Sequence, residues 1–119
     1  MKSFTDIEQS KKLSEILPIE SADMFYWCGD QIKLGSYMAM DKDLDIPAWS
    51  LAALLNYLRE IDFFPEIDED EHGVAMSIDY YDEDEGKLLN PVHNIEVKAE
   101  NFIDACYEMI IKFKENNII

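Results

Sequence analysis

Apolar residues recur at helical spacing between Phe102 and Phe113. The shared face holds Phe102, Ile103, Cys106, Met109, Ile110 and Phe113. Spacings of three and four residues are typical of an α-helix with one buried side. Asn101 precedes the run and is a favourable N-cap residue. The pattern therefore predicts a helix that begins near Asn101, with Tyr107 and Ile111 as a small apolar pair outside the main stripe.

Two other segments alternate apolar and polar residues, as β-strands with one buried face do. In the first, Val74, Met76, Ile78 and Tyr80 alternate with Ala75, Ser77, Asp79 and Tyr81. In the second, Ile95 and Val97 point one way, and a glutamate and a lysine point the other way. Pro91 lacks a backbone N–H, so we expect it in a connection or at the start of an edge strand. An earlier aromatic run with a Gly-Asp turn signal predicts a hairpin that closes around Cys28 to Gln31.

Two further helices are expected nearer the amino end. Thr5 and Glu8 have the spacing of a capping box, which predicts a helix that starts there and stops before Pro18. Pro47 is suited to the first turn of a second helix that runs to about Glu60. This second helix is apolar on nearly every side, so it is either buried in the core or covered by another subunit.

These elements have the order αββαβββα, with four or five strands. Consecutive strands joined by turns favour antiparallel pairing over a doubly wound parallel sheet. A chain of 119 residues has the usual size of one domain. We therefore expect a single α+β domain over residues 1–119, with a mainly antiparallel sheet and three helices.

The composition combines a core with a strongly acidic surface. The chain is 48% hydrophobic and carries a net charge of -16. Such a charge repels nucleic acid and anionic membranes, so we expect neither as a direct partner. Cys28 and Cys106 form no paired metal-binding motif, and we expect free thiols in a cytoplasmic protein.

The acidic residues are concentrated between Glu60 and Gly86. This stretch holds twelve of the 26 acidic residues and no lysine or arginine. Two clusters stand out, formed by Asp68, Glu69, Asp70, Glu71 and by Asp82, Glu83, Asp84, Glu85. They are either solvated turns that discourage strand pairing or a surface complementary to a basic partner.

A calcium loop is a third interpretation of the first cluster. Five residues match a calcium-loop template in part, namely Asp68, Asp70, His72, Gly73 and Asp79. Histidine is a poor ligand for Ca²⁺, Met76 donates nothing at its template position, and the flanking segments resemble strands rather than helices. We therefore expect no specific metal site.

Catalytic patterns are equally weak. His72 and His93 are the two histidines, and neither is spaced to activate a nucleophile. The four glycines form no phosphate-binding loop, so no cofactor is expected. The sequence thus favours a protein that is not an enzyme.

Three segments of the chain read FTDIEQSKKLSEILPIESADM, PAWSLAALLNYL and DACYEMIIKFKE. They resemble a group of short proteins encoded on prophages and other mobile elements of gut bacteria. The group carries no established activity or site residues, and the stretch from Glu60 to Gly86 lies outside the resemblance. The resemblance implies an intracellular accessory protein and no particular mechanism.

The resulting functional hypothesis is an acidic, non-enzymatic accessory module of a mobile element that acts through protein contacts. Contact would use the exposed part of the helix between Trp49 and Tyr57, or the Tyr107 and Ile111 pair, with the acidic clusters setting specificity. The contact is either with a different protein or with a second copy of the chain. The alternative is a DNA mimic that inhibits a basic nucleic-acid-binding or defence protein.

Overall fold

The computed structural model describes residues 2–80, 83–84, 87–88 and 93–119. Three helices are present, α1 (Ile7–Ser14), α2 (Leu51–Glu60) and α3 (Phe102–Glu115). The strands are β1 (Met24–Trp27), β2 (Gln31–Leu34), β3 (Ile46–Ala48), β4 (Glu66–Asp70), β5 (Gly73–Tyr80), β6 (Glu83–Asp84), β7 (Lys87–Leu88) and β8 (His93–Ala99). The predicted α+β class with three helices and antiparallel strands is confirmed.

Within the described residues, the strands form two three-stranded sheets and a two-stranded ribbon, whereas the sequence predicted one sheet. The orders are β2-β1-β3 and β4-β5-β8, and β6 pairs with β7 in a short ribbon. All the pairs are antiparallel. The strands were undercounted because β3, β4, β6 and β7 lack a clear alternation of apolar and polar residues.

The first sheet packs against α1. Met24, Tyr26 and Ala48 form a small buried cluster with the partly buried Phe4 and Ile7. The predicted hairpin is confirmed, since Trp27 of β1 pairs with Gln31 of β2 around a short turn.

The second sheet packs one face against α3, and this contact forms the main core. Val74 and Met76 of β5 and Ile95 and Val97 of β8 are buried there, as their alternation predicted. The buried face of α3 contains Ile103, Cys106, Met109, Ile110 and Phe113, as predicted, together with Ala105. Phe102, which was also predicted on this face, is only half-buried. Asn101 is its N-cap, and the Asn101 side chain accepts a 2.8 Å hydrogen bond from the backbone N–H of Asp104. The sequence therefore correctly predicted the strand β5, the helix α3 and Asn101 as the N-cap of that helix.

The start of α1 differs by one residue from the prediction. Asp6 is the N-cap and forms the capping box with Gln9. Thr5 is buried instead. Its hydroxyl lies 2.7 Å from the Ser10 hydroxyl and accepts a 3.1 Å hydrogen bond from the backbone N–H of Trp49. The hydroxyl of Thr5 thus holds the segment before α2 rather than capping α1.

The start of α2 also differs. Pro47 lies in β3, paired with Phe25, and the helix begins after Ser50, whose hydroxyl accepts a hydrogen bond from the Ala53 N–H. The strand β3 is at an edge of its sheet, where a proline is tolerated because one side of the strand donates to no neighbour.

The first acidic cluster was predicted as a turn, and most of it is strand. Asp70 pairs with Gly73, which leaves Glu71 and His72 as the turn. The second cluster contributes Glu83 and Asp84 to β6, whereas Asp82, Glu85 and Pro91 lie outside the described residues.

Among the described residues, no helix has the length and apolar character that a membrane span requires.

Candidate functional site

The strand β4 is the most exposed regular element of the second sheet. All five of its residues, Glu66 to Asp70, are exposed, and four of them are acidic. It is an edge strand of the sheet β4-β5-β8, and within the described parts of the chain β5 is its one strand neighbour. We refer to Glu66–Asp70 as the acidic edge.

The sheet has one face that α3 leaves uncovered. Since Val74 and Met76 point to α3, the alternate residues Ala75 and Ser77 point away from it. The pairing register places Glu66, Asp68, Asp70, Asp79, Asn94, Glu96 and Lys98 on the same side as these two small residues. We refer to this side as the open face.

The open face is dominated by carboxylates. The residues that β4 and β8 contribute to this face are exposed, whereas Ala75 and Ser77 of the central strand β5 are small and half-buried. Glu66 lies across Ser77 from Glu96, so two acidic side chains flank the same short residue. Lys98 contributes one positive charge opposite Ala75. A partner that reaches the central strand would therefore meet carboxylates on both sides.

A cleft of about 570 Å³ opens at the tip of the β4–β5 hairpin. Leu51, Val74 and Phe102 contribute apolar surface to it, and Glu69 and Glu71 contribute carboxylates. Its size is within the range of small-molecule or side-chain pockets. This lining suits a cationic group on an apolar stem, such as a lysine or arginine side chain.

Lys2 also lines the cleft, and its charge is already used within the protein. The Lys2 ammonium donates to the Asp104 carboxylate at 2.8 Å and to the Asp6 carboxylate at 3.0 Å. The Asp104 carboxylate also accepts from the Gln9 amide at 2.7 Å and from the Asn101 amide at 3.0 Å. The network ties the amino-terminal segment and α1 to the start of α3.

The pKa values of this network reflect these bonds. Partial burial acts to raise the pKa of Asp104, but the hydrogen bonds from Lys2 and Gln9 outweigh it, and the pKa lies below its usual range. Burial likewise opposes the bonds from Gln9 and Lys2 at Asp6, whose pKa is also lowered. Burial acts to lower the pKa of Lys2, yet the bonds to Asp104 and Asp6 raise it. All three groups are therefore held in their charged forms.

The two aromatic residues named for the predicted contact helix lie inside the protein. Trp49 is fully buried, and its indole N–H donates to the Ser21 hydroxyl at 2.9 Å. Tyr57 is also buried in the main core. Tyr57 faces the core because α2 packs on α3, and Trp49 precedes α2. The exposed part of the helix, which the hypothesis uses for contact, therefore contains neither aromatic side chain. The exposed side of α2 carries Leu55 instead.

The Tyr107 and Ile111 pair lies on α3 and is half-buried. Tyr107 packs against the main core, and burial raises the pKa of its hydroxyl. Neither residue belongs to the buried face of α3, as the sequence predicted.

The cysteines occupy different environments. Cys106 is buried against Met76, and burial raises the pKa of its thiol to about 12. Such a thiol is not a nucleophile at neutral pH. Cys28 is exposed in the turn of the first hairpin, where its backbone N–H donates to Asp45.

The template residues of the calcium loop are spread along a hairpin. Asp68 and Asp70 lie in β4, and Asp79 lies near the far end of β5, where it accepts a 2.6 Å hydrogen bond from Asn94. The expected strand flanks are confirmed. Within the described residues, no group of three or more His, Cys, Asp or Glu side chains is arranged to hold a metal ion.

Sequence reasoning missed the apolar residues beside the acidic edge. Phe64 is 67% exposed just before β4, and Ile67 is 41% exposed within it. The sequence feature that could have indicated them is Ile67, an isolated isoleucine in an otherwise acidic run. These two side chains add apolar surface beside the carboxylates of β4.

No protein-family model, curated protein or solved structure matches the chain.

Proposed function

We propose that this protein is an acidic, non-enzymatic interaction module that binds a basic surface of a partner protein through the acidic edge and the open face. The observation that carries the proposal is that all five residues of β4 are exposed at the edge of a sheet whose uncovered face is also acidic. An accessory role on a mobile element, which the sequence resemblance implies, is part of this proposal.

Charge and shape support binding rather than solubility alone. The acidic groups lie on a strand that pairs with β5 along its length, so the backbone positions that carry the carboxylates are set before a partner arrives. The exposed Phe64 and Ile67 add apolar area beside the charges. A basic partner is attracted over distance by the net charge of -16 and would be discriminated by the fixed carboxylates.

The test compares two charge variants with the same net charge. The first is Glu66→Gln, Asp68→Asn and Asp70→Asn, which neutralises the row of carboxylates on β4. The matched control is Glu20→Gln, Asp30→Asn and Glu115→Gln, which removes three exposed charges elsewhere. The probe is a fluorescent peptide rich in lysine and arginine, and its Kd is measured by anisotropy between 50 and 300 mM NaCl.

We expect wild type to bind the peptide, with an affinity that falls as salt rises. The β4 variant should bind at least about tenfold more weakly, and the control should differ by less than about twofold. Equal losses in both variants would mean that binding follows net charge without a defined site, and the proposal would be wrong. Absence of binding by wild type would also contradict it.

A DNA mimic is the second candidate. Its specific support is the row formed by Glu66, Asp68 and Asp70, which are alternate residues and therefore about 7 Å apart along one strand. A mimic should compete with duplex DNA for a basic DNA-binding protein. Displacement of DNA from such a protein by wild type, and not by the β4 variant, would favour this candidate over a general basic partner.

A further inference from the structure

We infer that the acidic edge accepts an extended basic segment of a partner protein as an additional antiparallel β-strand, which is the orientation of the strand pairs described in this protein. The inference rests on the proposed function and specifies how the partner is held. An edge strand presents a row of N–H and C=O groups that another chain can pair with. In β4 all five residues are exposed, and β5 is the strand with which β4 pairs.

The other strand edges are less suited to such pairing. On the first sheet, β3 is three residues long and contains Pro47, which cannot donate a backbone hydrogen bond. The other edge of that sheet, β2, is largely exposed but carries Lys33 and no acidic residue, so it does not attract a basic segment. On the second sheet, the opposite edge strand β8 packs on α3 through the buried Ile95 and Val97 and carries the positive charge of Lys98. Among these four edges, the acidic edge is therefore the one that is both fully exposed and negatively charged.

Charge determines which kind of chain can pair with β4. A second copy of β4 would place carboxylates opposite carboxylates, and like charges directly opposite each other destabilise a strand pair. A lysine- or arginine-rich segment would place opposite charges next to Glu66, Asp68 and Asp70. The acidic edge thus disfavours self-association through β4 and favours a basic strand.

The apolar residues next to the charges fit the same occupant. Phe64 and Ile67 are exposed beside or within β4, and Glu69 belongs both to β4 and to the wall of the cleft. A strand laid along β4 would cover part of this apolar surface. Its basic side chains would also come within reach of the cleft at the hairpin tip.

The experiment keeps wild-type protein and varies the peptide, so misfolding of a variant cannot produce the result. The first peptide alternates lysine with threonine over ten residues. The second has the same sequence with N-methyl groups on alternate residues, which preserves the charge and removes backbone donors on one edge. A third peptide carries the N-methyl groups on the remaining residues. One of the two methylated peptides therefore lacks the N–H groups on the peptide edge that would pair with β4.

We expect one methylated peptide to bind at least about tenfold more weakly than the parent, and the other to bind nearly as well. NMR amide exchange should show that the parent peptide protects backbone N–H groups of β4. Equal affinity of all three peptides without protection of β4 would overturn strand addition while leaving recognition of basic segments intact. No binding of any peptide would overturn both proposals. Protection of β4 amides in a dimer without peptide would assign the edge to a second copy and would overturn the inference.

Discussion

The ammonium group of Lys2 lies 2.8 Å from a carboxylate oxygen of Asp104, although 102 positions separate the two residues in sequence. The contact fixes the amino-terminal segment against the first turn of α3, where a negative charge also interacts favourably with the helix dipole. Both residues are partly buried, with side chains 28% and 30% exposed. The pair positions one wall of the cleft next to the acidic edge.

Neutralising this carboxylate should lower stability. Asp104→Asn removes the ion pair and weakens the bonds from Lys2 and Gln9, so we expect the free energy of unfolding to fall by about 1 kcal/mol. Urea denaturation followed by circular dichroism measures it. The control Asp43→Asn, on an exposed loop, should change stability by less than about 0.5 kcal/mol. Equal effects of the two substitutions would show that the network contributes nothing specific.

The network should also make stability depend on pH in a defined direction. The lowered pKa values of Asp6 and Asp104 mean that their contribution is present above about pH 4 and is lost as the pH falls through the folded-state values. The raised pKa of Lys2 means that its contribution persists up to about pH 10 and is lost above that. The stability difference between wild type and Lys2→Met should therefore be larger at pH 7 than at pH 3. An equal difference at the two pH values would contradict this assignment.

The two thiols should differ sharply in reactivity. Cys28 is exposed, whereas burial raises the pKa of Cys106 to about 12. In the native protein at pH 8, we expect one thiol to react rapidly with a disulfide reagent and the second to react only on unfolding. Cys28→Ser should abolish the rapid phase. Rapid reaction of the Cys28→Ser protein would show that Cys106 is accessible.

Gly73 should be difficult to replace. Its φ is 137°, and a Cβ atom there would lie 2.4 Å from the carbonyl oxygen of Ala99. We expect Gly73→Ala to destabilise the protein by at least about 2 kcal/mol, because backbone strain and a backbone clash combine. Gly29→Ala is the matched control, since it also has positive φ but would meet nothing closer than an Ile46 methyl at 3.8 Å. A smaller loss for Gly73→Ala than for Gly29→Ala, measured by urea denaturation, would contradict this account.

The sequence was most informative where one side of an element is buried. The period of three to four residues in α3 and the alternation in β5 follow directly from their contact with each other. The acidic edge had no such pattern, because all of its side chains are exposed and the strand is held by backbone pairing to β5. Stabilisation by backbone pairing leaves no pattern of apolar and polar side chains from which the strand could be predicted.

The candidate site was predictable in charge and not in shape. Asp68 to Glu71 were recognised as an acidic cluster, and the structure shows that three of them continue a strand. The helix predicted between Trp49 and Tyr57 was compatible with either burial or subunit contact, because it is apolar on nearly every side. Only the packing of α2 on α3 distinguishes the two cases, and that packing is a long-range property.

The bond between Lys2 and Asp104 has a consequence for the synthesis of the protein. The ribosome must polymerise the hundred or so residues between them before the lysine can meet its carboxylate, which takes on the order of 5–20 s at typical translation rates. During that interval the nascent amino-terminal segment lacks its final anchor. Completion of this part of the fold is therefore expected late, after α3 has emerged.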